Sequence, residues 1–471
     1  MSFEIIIGIE IHCELLTKTK MFSTAPVGFG EIANTNVSVV DLAHPGTLPS
    51  VNKDAIAKAL ATSHALHCEI DSLVKFDRKN YYYSDLPKGF QITQQFHPIG
   101  KNGYIVTENG KKIRINRIHM EEDTAKQFHE YDGTAIDFNR AGTPLIEIVT
   151  EPDIRSAEEA MDYVNTLRMI LEYLGVSDVK MEEGSLRCDI NISLRPFGYE
   201  GFGTKVEIKN MNSISNIEKA IHYEVKRQSE IILAGEEIIQ ETRRYDDDAR
   251  ITVSMRKKEG SVDYKYFPEP NILPIRLDQN WIDSIIHHLP ELPSAKKKRY
   301  LELGLSEYDA KILSSSKKLS DFYDNVLENT AEAKLAANWI MTELLAYLNK
   351  NNETIQSMKL QALHLAMMVE MIAKNEISGK QAKEVFEEIL KGENPKTVVE
   401  NKGLVQESNE SIILAYVLEA LNENPQSIID YHNGKDRAIG FLVGQVMKKS
   451  QGKANPAMTS RLVKEELDKQ K

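Results

Sequence analysis

At residues 7–14 the chain has the sequence I-G-I-E-I-H-C-E, in which apolar and polar side chains alternate. Successive side chains of a β-strand point to opposite faces, so the three isoleucines share one face and Gly8, Glu10 and His12 share the other. The pattern predicts a strand that joins a core on one side and places a carboxylate beside an imidazole on the other. Such a pair is suited to form half of a metal or phosphate site, although a solvent-facing edge strand gives the same alternation.

Four further segments within the first 270 residues carry a similar polar stripe. Glu147 is a lone carboxylate in the apolar run P-L-I-E-I-V at 144–149, where it needs a cation or a donor because burying it unpaired is costly. Carboxylates are the hard oxygen ligands that Mg²⁺ takes, and imidazole together with carboxylates also suits Mn²⁺ or Zn²⁺. The other stripes are R-I-H-M-E-E-D at 117–123, R-C-D-I-N-I-S-L at 187–194 and V-E-I-K-N at 206–210.

Residues 76–94 mix cations, aromatic side chains and amides with Pro and Gly turns. A loop of this composition is suited to hold phosphates and to stack a base or a ribose. A surface loop with one tyrosine packed below it has the same composition. The chain has neither a G-x-x-x-x-G-K-[ST] loop nor a dinucleotide fingerprint, so any nucleotide site is of another class.

Length and composition describe a globular protein of several domains. The chain has 471 residues, which is too long for one core and predicts two to four domains, with 41% hydrophobic and 27% charged residues. Cys13, Cys68 and Cys188 are far apart and form no C-x-x-C pair, which argues against a structural zinc and against disulfides and is typical of a reducing cytosol. Because no signal peptide or spanning apolar run is found either, we expect a cytoplasmic protein without membrane contact.

The chain changes character at H-H-L-P-E-L-P, residues 287–293. Before it, short β-branched runs alternate with helical patterns, which predicts an α+β domain with a mostly antiparallel sheet. After it, apolar residues recur at spacings of three and four, and Gly and Pro interrupt the pattern near 392–395 and 403. We therefore predict domains at 1–293, 294–405 and 406–471, the last two helical.

The charge is distributed unevenly along the chain. The net charge is −12, yet residues 431–471 hold nine basic and four acidic side chains. A basic tail on an acidic body is typical of a protein that contacts a phosphate backbone, although a solvated helical face gives the same balance. The candidate RNA-binding cations are Lys448, Lys449, Lys453, Arg461 and Lys464.

Long sequence strings resemble one family from end to end, the B subunit of the bacterial glutamyl/aspartyl-tRNA amidotransferases. The matching strings are G-I-E-I-H at 8–12, F-D-R-K-N-Y-Y-Y at 76–83, D-L-P-K-G-F-Q-I at 85–92, H-M-E-E-D at 119–123, D-F-N-R-A-G-T-P-L-I-E-I-V at 137–149, K-M-E-E-G-S-L-R-C-D-I-N-I-S at 180–193, E-I-K-N-M-N-S at 207–213, D-Y-K-Y-F-P-E-P at 263–270 and G-F-L-V-G-Q-V-M-K-K-S-Q-G-K-A-N-P at 440–456.

The resemblance implies a fold, an activity and partners. The N-terminal domain is expected to be a cradle around an antiparallel sheet, similar to glutamine synthetase and guanidino kinases, followed by two all-α domains. The family acts as a heterotrimer in which the A subunit, an amidase, releases ammonia from glutamine and the small C subunit wraps the other two. The B subunit uses ATP to phosphorylate the side-chain carboxylate of Glu or Asp misattached to tRNA(Gln) or tRNA(Asn), and ammonia arriving by a tunnel then displaces phosphate.

For this chemistry the stripes supply the candidate residues. Phosphoryl transfer needs a metal bridging anionic oxygens and cations for the developing charge. We expect Mg²⁺, or else Mn²⁺, on Glu10, His12, Glu122 and Glu147, with Asp189 beside them and Glu121 as an adjacent option. Lys79, Lys88 and Arg78 are candidates for the phosphates of ATP, with Tyr81 in the same loop. Glu207 and Lys209 are candidates for the ammonia route, where a carboxylate is expected to deprotonate ammonium.

Two other functions compete with this one. A non-catalytic RNA-binding scaffold is compatible with the basic tail, but it has no need for a buried Glu147. A free-standing kinase or ligase for a small amino acid is compatible with the carboxylates, but it has no need for the tail. Which misacylated tRNA is the natural substrate depends on the synthetases of the cell and is not readable from this chain.

Overall fold

The computed structural model describes residues 3–209, 211–257, 263–404, 407, 409–435 and 437–470. The chain forms two compact units, Met1–Leu292 and Pro293–Lys471. Among the described residues, no helix has the length and apolarity that crossing a bilayer requires.

The first unit is built on one large sheet with four helices. A nine-stranded sheet has the order β14-β13-β12-β11-β1-β10-β7-β6-β2, antiparallel except for the β12–β13 pair. The strands are β1 (Phe3–Glu14), β2 (Glu69–Ile70), β3 (Leu73–Val74), β4 (Asp77–Asn80), β5 (Phe90–Thr93), β6 (Gly100–Val106), β7 (Lys112–Glu122), β8 (Lys126–Glu130), β9 (Gly133–Asp137), β10 (Pro144–Thr150), β11 (Leu186–Pro196), β12 (Val206–Lys209), β13 (Glu241–Asp246), β14 (Ile251–Lys257), β15 (Phe267–Pro268) and β16 (Ile275–Arg276); the helices are α1 (Lys53–Ala65), α2 (Ala157–Leu174), α3 (Ile214–Leu233) and α4 (Gln279–His287).

Strand β1 lies near the middle of this sheet, and its two faces differ as the alternation predicts. Ile7, Ile9 and Ile11 are at most 1% exposed and belong to one buried cluster with the apolar sides of α1, α2 and α3. The three helices therefore cover one face of the sheet, and the opposite face carries Glu10 and His12. The prediction of an antiparallel-rich sheet domain followed by a helical region is confirmed.

Local residues define the ends of the long helices. Ser156 precedes α2, and its hydroxyl accepts a hydrogen bond from the backbone N–H of Glu159, which satisfies one of the free donors of the first turn. Gly175 ends the same helix with φ 65°, a left-handed conformation that glycine adopts without strain. The helix thereby returns the chain toward β11.

Strands β8 and β9 form a separate two-stranded ribbon. Its roots are the end of β7 and the start of β10, two central strands of the large sheet. Arg140 fixes the base of the ribbon, because its guanidinium donates to the carbonyl oxygens of Thr124 at 3.0 Å and Ala125 at 3.1 Å. The ribbon is therefore connected to two strands of the central sheet through residues 123–125 and 138–143.

In its described part the second unit consists of helices joined by turns, with one isolated β-bridge between Glu407 and Ala454, and it has two buried clusters, one within residues 300–399 and one within residues 413–467. The predicted boundary at 405/406 falls on residues outside the described ones, so the division into three domains stays a prediction. The helices are α5 (Pro293–Glu302), α6 (Glu307–Leu313), α7 (Lys317–Leu327), α8 (Ala333–Trp339), a π-helical turn (Ile340–Leu344), α9 (Leu345–Asn351), α10 (Ala362–Ala373), α11 (Gly379–Ile389), α12 (Pro395–Lys402), α13 (Glu410–Glu423), α14 (Pro425–His432), α15 (Arg437–Lys449) and α16 (Pro456–Lys469).

Candidate active site

The pairing of three central strands brings two imidazoles and a carboxylate into one row. His12 of β1 lies opposite Glu147 of β10, and Glu147 lies opposite His119 of β7. Side chains at paired positions point to the same face of a sheet. The row therefore lies on the face of the sheet that is opposite the helices, the same face that carries Glu10 and His12 of β1.

His12, Glu121 and Glu147 form the one cluster of metal-ligating groups found among the described residues, with ligand atoms all within 4.8 Å of one another. The Nε2 atom of His12 lies 3.3 Å from Oε2 of Glu147 and 3.6 Å from Oε1 of Glu121. Two carboxylates and one imidazole are a donor set for a divalent cation, with Mg²⁺ favoured by the oxygens and Mn²⁺ or Zn²⁺ by the imidazole.

The same contacts set the charges of the cluster. Burial disfavours the imidazolium form of His12, but the Glu147 and Glu121 carboxylates outweigh this effect and raise the pKa of His12 to about 9. Burial alone would raise the pKa of Glu147, yet His119 and His12 hold that pKa well below its ordinary value. Glu147 is thus a paired carboxylate within a buried strand, as its position in an apolar run requires.

A second row of acids lies beside the first. Glu10 faces Asp189 of β11 across the pairing, and its Oε1 accepts a hydrogen bond of 2.8 Å from Asn191. Lys209 links the neighbouring carboxylates, with Nζ 2.6 Å from Oδ2 of Asp189 and 3.1 Å from Oε1 of Glu207. Burial and the nearby Glu147 raise the pKa of the Glu10 carboxyl group above its ordinary value.

These two rows line a cavity of about 430 Å³. Lys79 reaches into it and holds its ammonium group 5.0 Å from the centre of the Tyr264 ring. Arg117 lines it as well, and its Nε is buried with no partner within the described part of the chain. The structure therefore brings together the predicted residues Glu10, His12, Lys79, Glu147, Asp189, Glu207 and Lys209.

Glu122 does not join the cluster, and the prediction that it is a neighbour of His12 and Glu147 is wrong in geometry. Strand β7 continues through Glu122, so Glu121 and Glu122 point to opposite faces. The Glu122 carboxylate instead contacts the ammonium group of Lys88 and accepts a 3.0 Å hydrogen bond from the backbone N–H of Ile92. Glu121, which the sequence offers as an adjacent option, occupies the place beside His12 and Glu147 that is predicted for Glu122.

Lys88 and Arg78 likewise lie away from the acidic rows. Arg78 is held by a bidentate ion pair with Glu269, at 2.6 and 3.1 Å, and its guanidinium stacks 4.0 Å from the centre of the Phe90 ring. Both cations line a different cavity of about 130 Å³. Tyr81 donates its hydroxyl to Oε1 of Gln91 at 3.2 Å and does not line the 430 Å³ cavity. The segment at 76–94 forms strands β4 and β5 with a connection between them rather than one loop, and of its four candidates only Lys79 lines the cavity of the acidic rows.

Sequence reasoning misses several lining residues. Arg117 and His119 are missed although they alternate with Ile118 and Met120, because the acidic run that follows them is typical of a loop after a strand rather than of the strand itself. The other missed residues, which include Gln95, Gln240, Tyr264 and Tyr266, come from segments that the polar stripes do not cover.

The cysteines take no part in this site. Cys13 and Cys188 are buried and Cys68 is partly buried, and all three are free thiols. Burial raises the pKa of Cys13 to about 12, which keeps the thiol protonated and unreactive at neutral pH. The expectation that the chain holds no cysteine-ligated zinc stays a prediction.

The basic residues of the tail fall into two groups. The Nζ atom of Lys449 lies 3.0 Å from Oε1 of Glu419 and 2.7 Å from Oε1 of Glu423. Arg461 likewise forms ion pairs with Glu410 and Glu465. Within the described residues, Lys448, Lys453 and Lys464 form no ion pair of this kind. The charge available to an external anion therefore comes mainly from the second group.

The fold and the site define a class: an antiparallel-sheet protein whose buried acidic rows and paired imidazoles form a donor set suited to a divalent cation. Comparison with known proteins identifies one family within this class. Residues 5–283 match the family model described as the GatB/GatE catalytic domain, and residues 321–467 match that of the GatB domain. The chain is 52% identical to proteins named as the B subunit of aspartyl/glutamyl-tRNA(Asn/Gln) amidotransferase from Bacillus licheniformis, Bacillus velezensis and Staphylococcus carnosus, over the whole of both chains in each case.

The chain therefore belongs to the family of the B subunit of aspartyl/glutamyl-tRNA(Asn/Gln) amidotransferase. The resemblance seen in the sequence motifs is confirmed.

Proposed function

We propose that this chain is a ligase that uses ATP to activate the side-chain carboxylate of Glu-tRNA(Gln), Asp-tRNA(Asn) or both, and then forms the amide with ammonia. The observation that carries the proposal is the cluster of His12, Glu121 and Glu147 within a cavity that also holds Lys79 and Arg117. Anionic ligands for a metal and cations for phosphate oxygens are the two parts that phosphoryl transfer requires.

The reaction has two steps. A carboxylate oxygen of the substrate forms a bond to the γ-phosphorus of ATP while the bond to the bridging oxygen breaks, and ADP leaves with that electron pair. The nitrogen of ammonia then attacks the carbonyl carbon of the acyl phosphate, the C–O bond to phosphate breaks, and inorganic phosphate leaves. The nitrogen also loses a proton, and Glu10, Asp189 and Glu207 are the carboxylates proposed to receive it.

Mg²⁺ is the proposed metal, with Mn²⁺ as the alternative that the His12 imidazole favours. Such an ion supplies charge neutralisation for the polyphosphate when it is bound. The residues that would hold it are His12, Glu121 and Glu147, and His119 orients Glu147 through an Nε2–Oε2 distance of 3.3 Å.

The family resemblance supplies the proposed partners and setting. An amidase A subunit releases ammonia from glutamine, a small C subunit joins the two larger chains, and the heterotrimer acts in the cytoplasm. The sheet unit is proposed to be a cradle similar to glutamine synthetase and guanidino kinases. The helical tail at 406–471 is proposed to bind the tRNA body through Lys448, Lys453 and Lys464, with smaller contributions from Lys449 and Arg461.

The proposal is tested in the complex reconstituted with both partner subunits. His12→Ala is expected to abolish amide formation on misacylated tRNA, because it removes the imidazole ligand, while glutamine hydrolysis by the A subunit persists. His222→Ala is the matched control, since its side chain is 59% exposed on α3. Amide formation by His12→Ala at the wild-type rate under limiting Mg²⁺ would contradict the proposal.

The two rival functions predict different results in the same assay. A scaffold would bind tRNA but form no ADP from ATP under any condition. A small-molecule kinase would form ADP with free glutamate or aspartate and would not need the tRNA. The proposed ligase forms ADP only when misacylated tRNA is present.

A further inference from the structure

A strand next to the second acidic row contributes a hydroxyl group that lies behind that row. Thr242 of β13 is paired with Glu207 of β12, in the parallel pair of the large sheet. Its Oγ1 donates a 2.9 Å hydrogen bond to Oε2 of Glu207, and the residue is only 3% exposed. Glu207 lines the 430 Å³ cavity and Thr242 does not. The hydroxyl group therefore acts on the carboxylate from outside the cavity and is not placed to contact a substrate within it.

This hydrogen bond fixes the direction of the other oxygen of Glu207. A carboxylate is planar, so a donor that holds one oxygen also limits where the second one points. Oε1 of Glu207 lies 3.1 Å from Nζ of Lys209, and the same Nζ lies 2.6 Å from Oδ2 of Asp189. Thr242 thus holds Glu207 in the orientation in which Lys209 links two carboxylates.

The backbone at Thr242 departs from a regular ladder. The pairing of β13 with β14 shifts register between Thr242 and Arg243, which leaves Met255 of β14 as the extra residue. Shifts of this kind increase the local twist, re-aim side chains and are over-represented next to active sites. The irregularity therefore lies at the residue whose side chain meets Glu207.

The next residue, Arg243, anchors the strand on the opposite face. Successive side chains of a strand point to opposite faces. The Arg243 guanidinium donates to Oγ1 and to the backbone oxygen of Thr252 at 2.8 and 2.7 Å, and its Nε lies 3.1 Å from Oε1 of Glu224 on α3. Glu224 is 0% exposed and also accepts hydrogen bonds of 3.0 and 2.9 Å from Arg227. Because breaking a buried pair of this kind is costly, the network fixes β13 against α3 and thereby fixes the position of Thr242.

We propose that Thr242 is a positioning residue for amide formation, which holds Glu207 in the orientation that receives a proton from the attacking nitrogen. This role rests on the proposed function, in which Glu207 is one of the candidate proton acceptors. In that step the nitrogen bonds to the carbonyl carbon of the acyl phosphate, the C–O bond to phosphate breaks, and the proton lost by nitrogen goes to the Glu207 carboxylate.

Such a role affects the second step of the reaction and not the first. Transfer of the phosphoryl group to the substrate carboxylate needs no proton acceptor, so ADP still forms when Glu207 is misplaced. The acyl phosphate then persists until water attacks its carbonyl carbon, which restores the carboxylate and releases phosphate without an amide. Misplacing Glu207 therefore increases the amount of inorganic phosphate released per amide.

The first test replaces the hydroxyl group in the reconstituted heterotrimer. Thr242→Val keeps the β-branched shape, and it is expected to lower kcat for amide formation about tenfold, the effect of losing a hydrogen bond to a charged group, with KM for ATP and for misacylated tRNA within about twofold of the wild type. The phosphate released per amide is expected to rise. Thr242→Ser keeps the hydroxyl group and is expected to restore both values. Thr134→Val is the matched control, because Thr134 is an exposed residue of β9.

The ratio of phosphate to amide separates positioning from a loss of folded protein. An unfolded fraction of Thr242→Val lowers the rates of both products equally and leaves their ratio unchanged. A rise in the ratio that is absent from Thr134→Val therefore reports a change within the active complex.

A double-mutant cycle tests whether Thr242 acts through Glu207. Glu207→Gln is expected to lower kcat for amide formation, and adding Thr242→Val is expected to lower it no further, because the hydrogen bond has already lost its charged acceptor. Ammonium chloride replaces glutamine as the nitrogen donor in this cycle, so that delivery of ammonia by the A subunit does not limit the rate.

Three results would overturn the proposed role of Thr242: an unchanged ratio of phosphate to amide in Thr242→Val, failure of Thr242→Ser to restore kcat, or losses that multiply in the double variant. A rise of both KM values at unchanged kcat would overturn it as well. If the proposed function itself is wrong, the wild-type complex makes no amide on misacylated tRNA. If only the role of Thr242 is wrong, the wild type is active and Thr242→Val fails to show the expected pattern.

Discussion

At the scale of single residues, the site depends on which of two adjacent glutamates faces the imidazoles. Oε1 of Glu121 lies 3.6 Å from Nε2 of His12 on the polar face of β7. Glu122 points to the opposite face of the strand, where its carboxylate contacts the ammonium group of Lys88. Both carboxylates are at most 3% exposed, so burial does not distinguish them. Their partners do, because one faces a cluster of metal-ligating groups and the other is neutralised by a lysine.

This difference predicts unequal effects on metal affinity. Glu121→Gln is expected to weaken Mn²⁺ binding by at least about tenfold, since even groups that only orient a ligand contribute about 10–100-fold. Glu122→Gln is expected to leave Mn²⁺ affinity unchanged, although it leaves the charge of Lys88 unpaired. Titration calorimetry on the full chain measures both. Equal losses in the two variants would place the ion elsewhere.

At the scale of elements, the sheet depends on close approach between β6 and the end of α1. The backbone N–H of Tyr104 donates to the carbonyl oxygen of Leu66 at 2.8 Å, and a Cβ atom added to Gly103 would lie 2.5 Å from that same oxygen. Real Cβ atoms do not approach a backbone oxygen so closely, so this glycine lets a strand and a helix end meet.

Gly103→Ala is expected to lower the free energy of unfolding of the first unit by about 1–3 kcal/mol, the usual cost of overpacking. Gly133→Ala is the control, because nothing lies within 4 Å of its added Cβ. The two tryptophans of the chain allow the measurement, since Trp281 is in the first unit and Trp339 in the second. Fluorescence-detected urea unfolding in a Trp339→Phe background reports the first unit, and equal midpoints for both alanine variants would refute the prediction.

The same scale shows what sequence alone can predict. The alternation of β1 is readable because three isoleucines mark one face, so the positions of Glu10 and His12 follow. The end of β7 is not readable, since the run of acids resembles a solvated loop and its burial comes from distant strands. The predicted places of Arg78 and Lys88 are wrong for a related reason: their partners Glu269 and Glu122 are far along the chain, and no local pattern indicates such a pairing.

At the scale of the whole molecule, the charges of the tail divide by their partners rather than by their position in the sequence. Lys449 is already neutralised by two glutamates, while Lys448 beside it forms no such ion pair among the described residues. Removing an unpaired cation from a phosphate contact costs more than removing one that is paired in the free protein. The net charge of the tail therefore overstates the charge available to RNA.

Lys448→Ala and Lys464→Ala are each expected to weaken binding of misacylated tRNA by the complex and to reduce the slope of log affinity against log salt by about 1. Lys449→Ala is expected to change the slope less. Lys226→Ala, at a 76% exposed position on α3, serves as the control. A salt titration of tRNA affinity checks this, and an unchanged slope in both Lys448→Ala and Lys464→Ala would show that this face is only solvated.

In the proposed reaction, the side-chain carboxylate becomes an acyl phosphate before ammonia attacks. Labelling both oxygens of that carboxylate with ¹⁸O on the misacylated tRNA tests it directly, because the C–O bond breaks when phosphate leaves. Each amide formed by the complex is expected to release one inorganic phosphate carrying one ¹⁸O atom, detected by mass spectrometry. Amide formation with no ¹⁸O in the phosphate would contradict it.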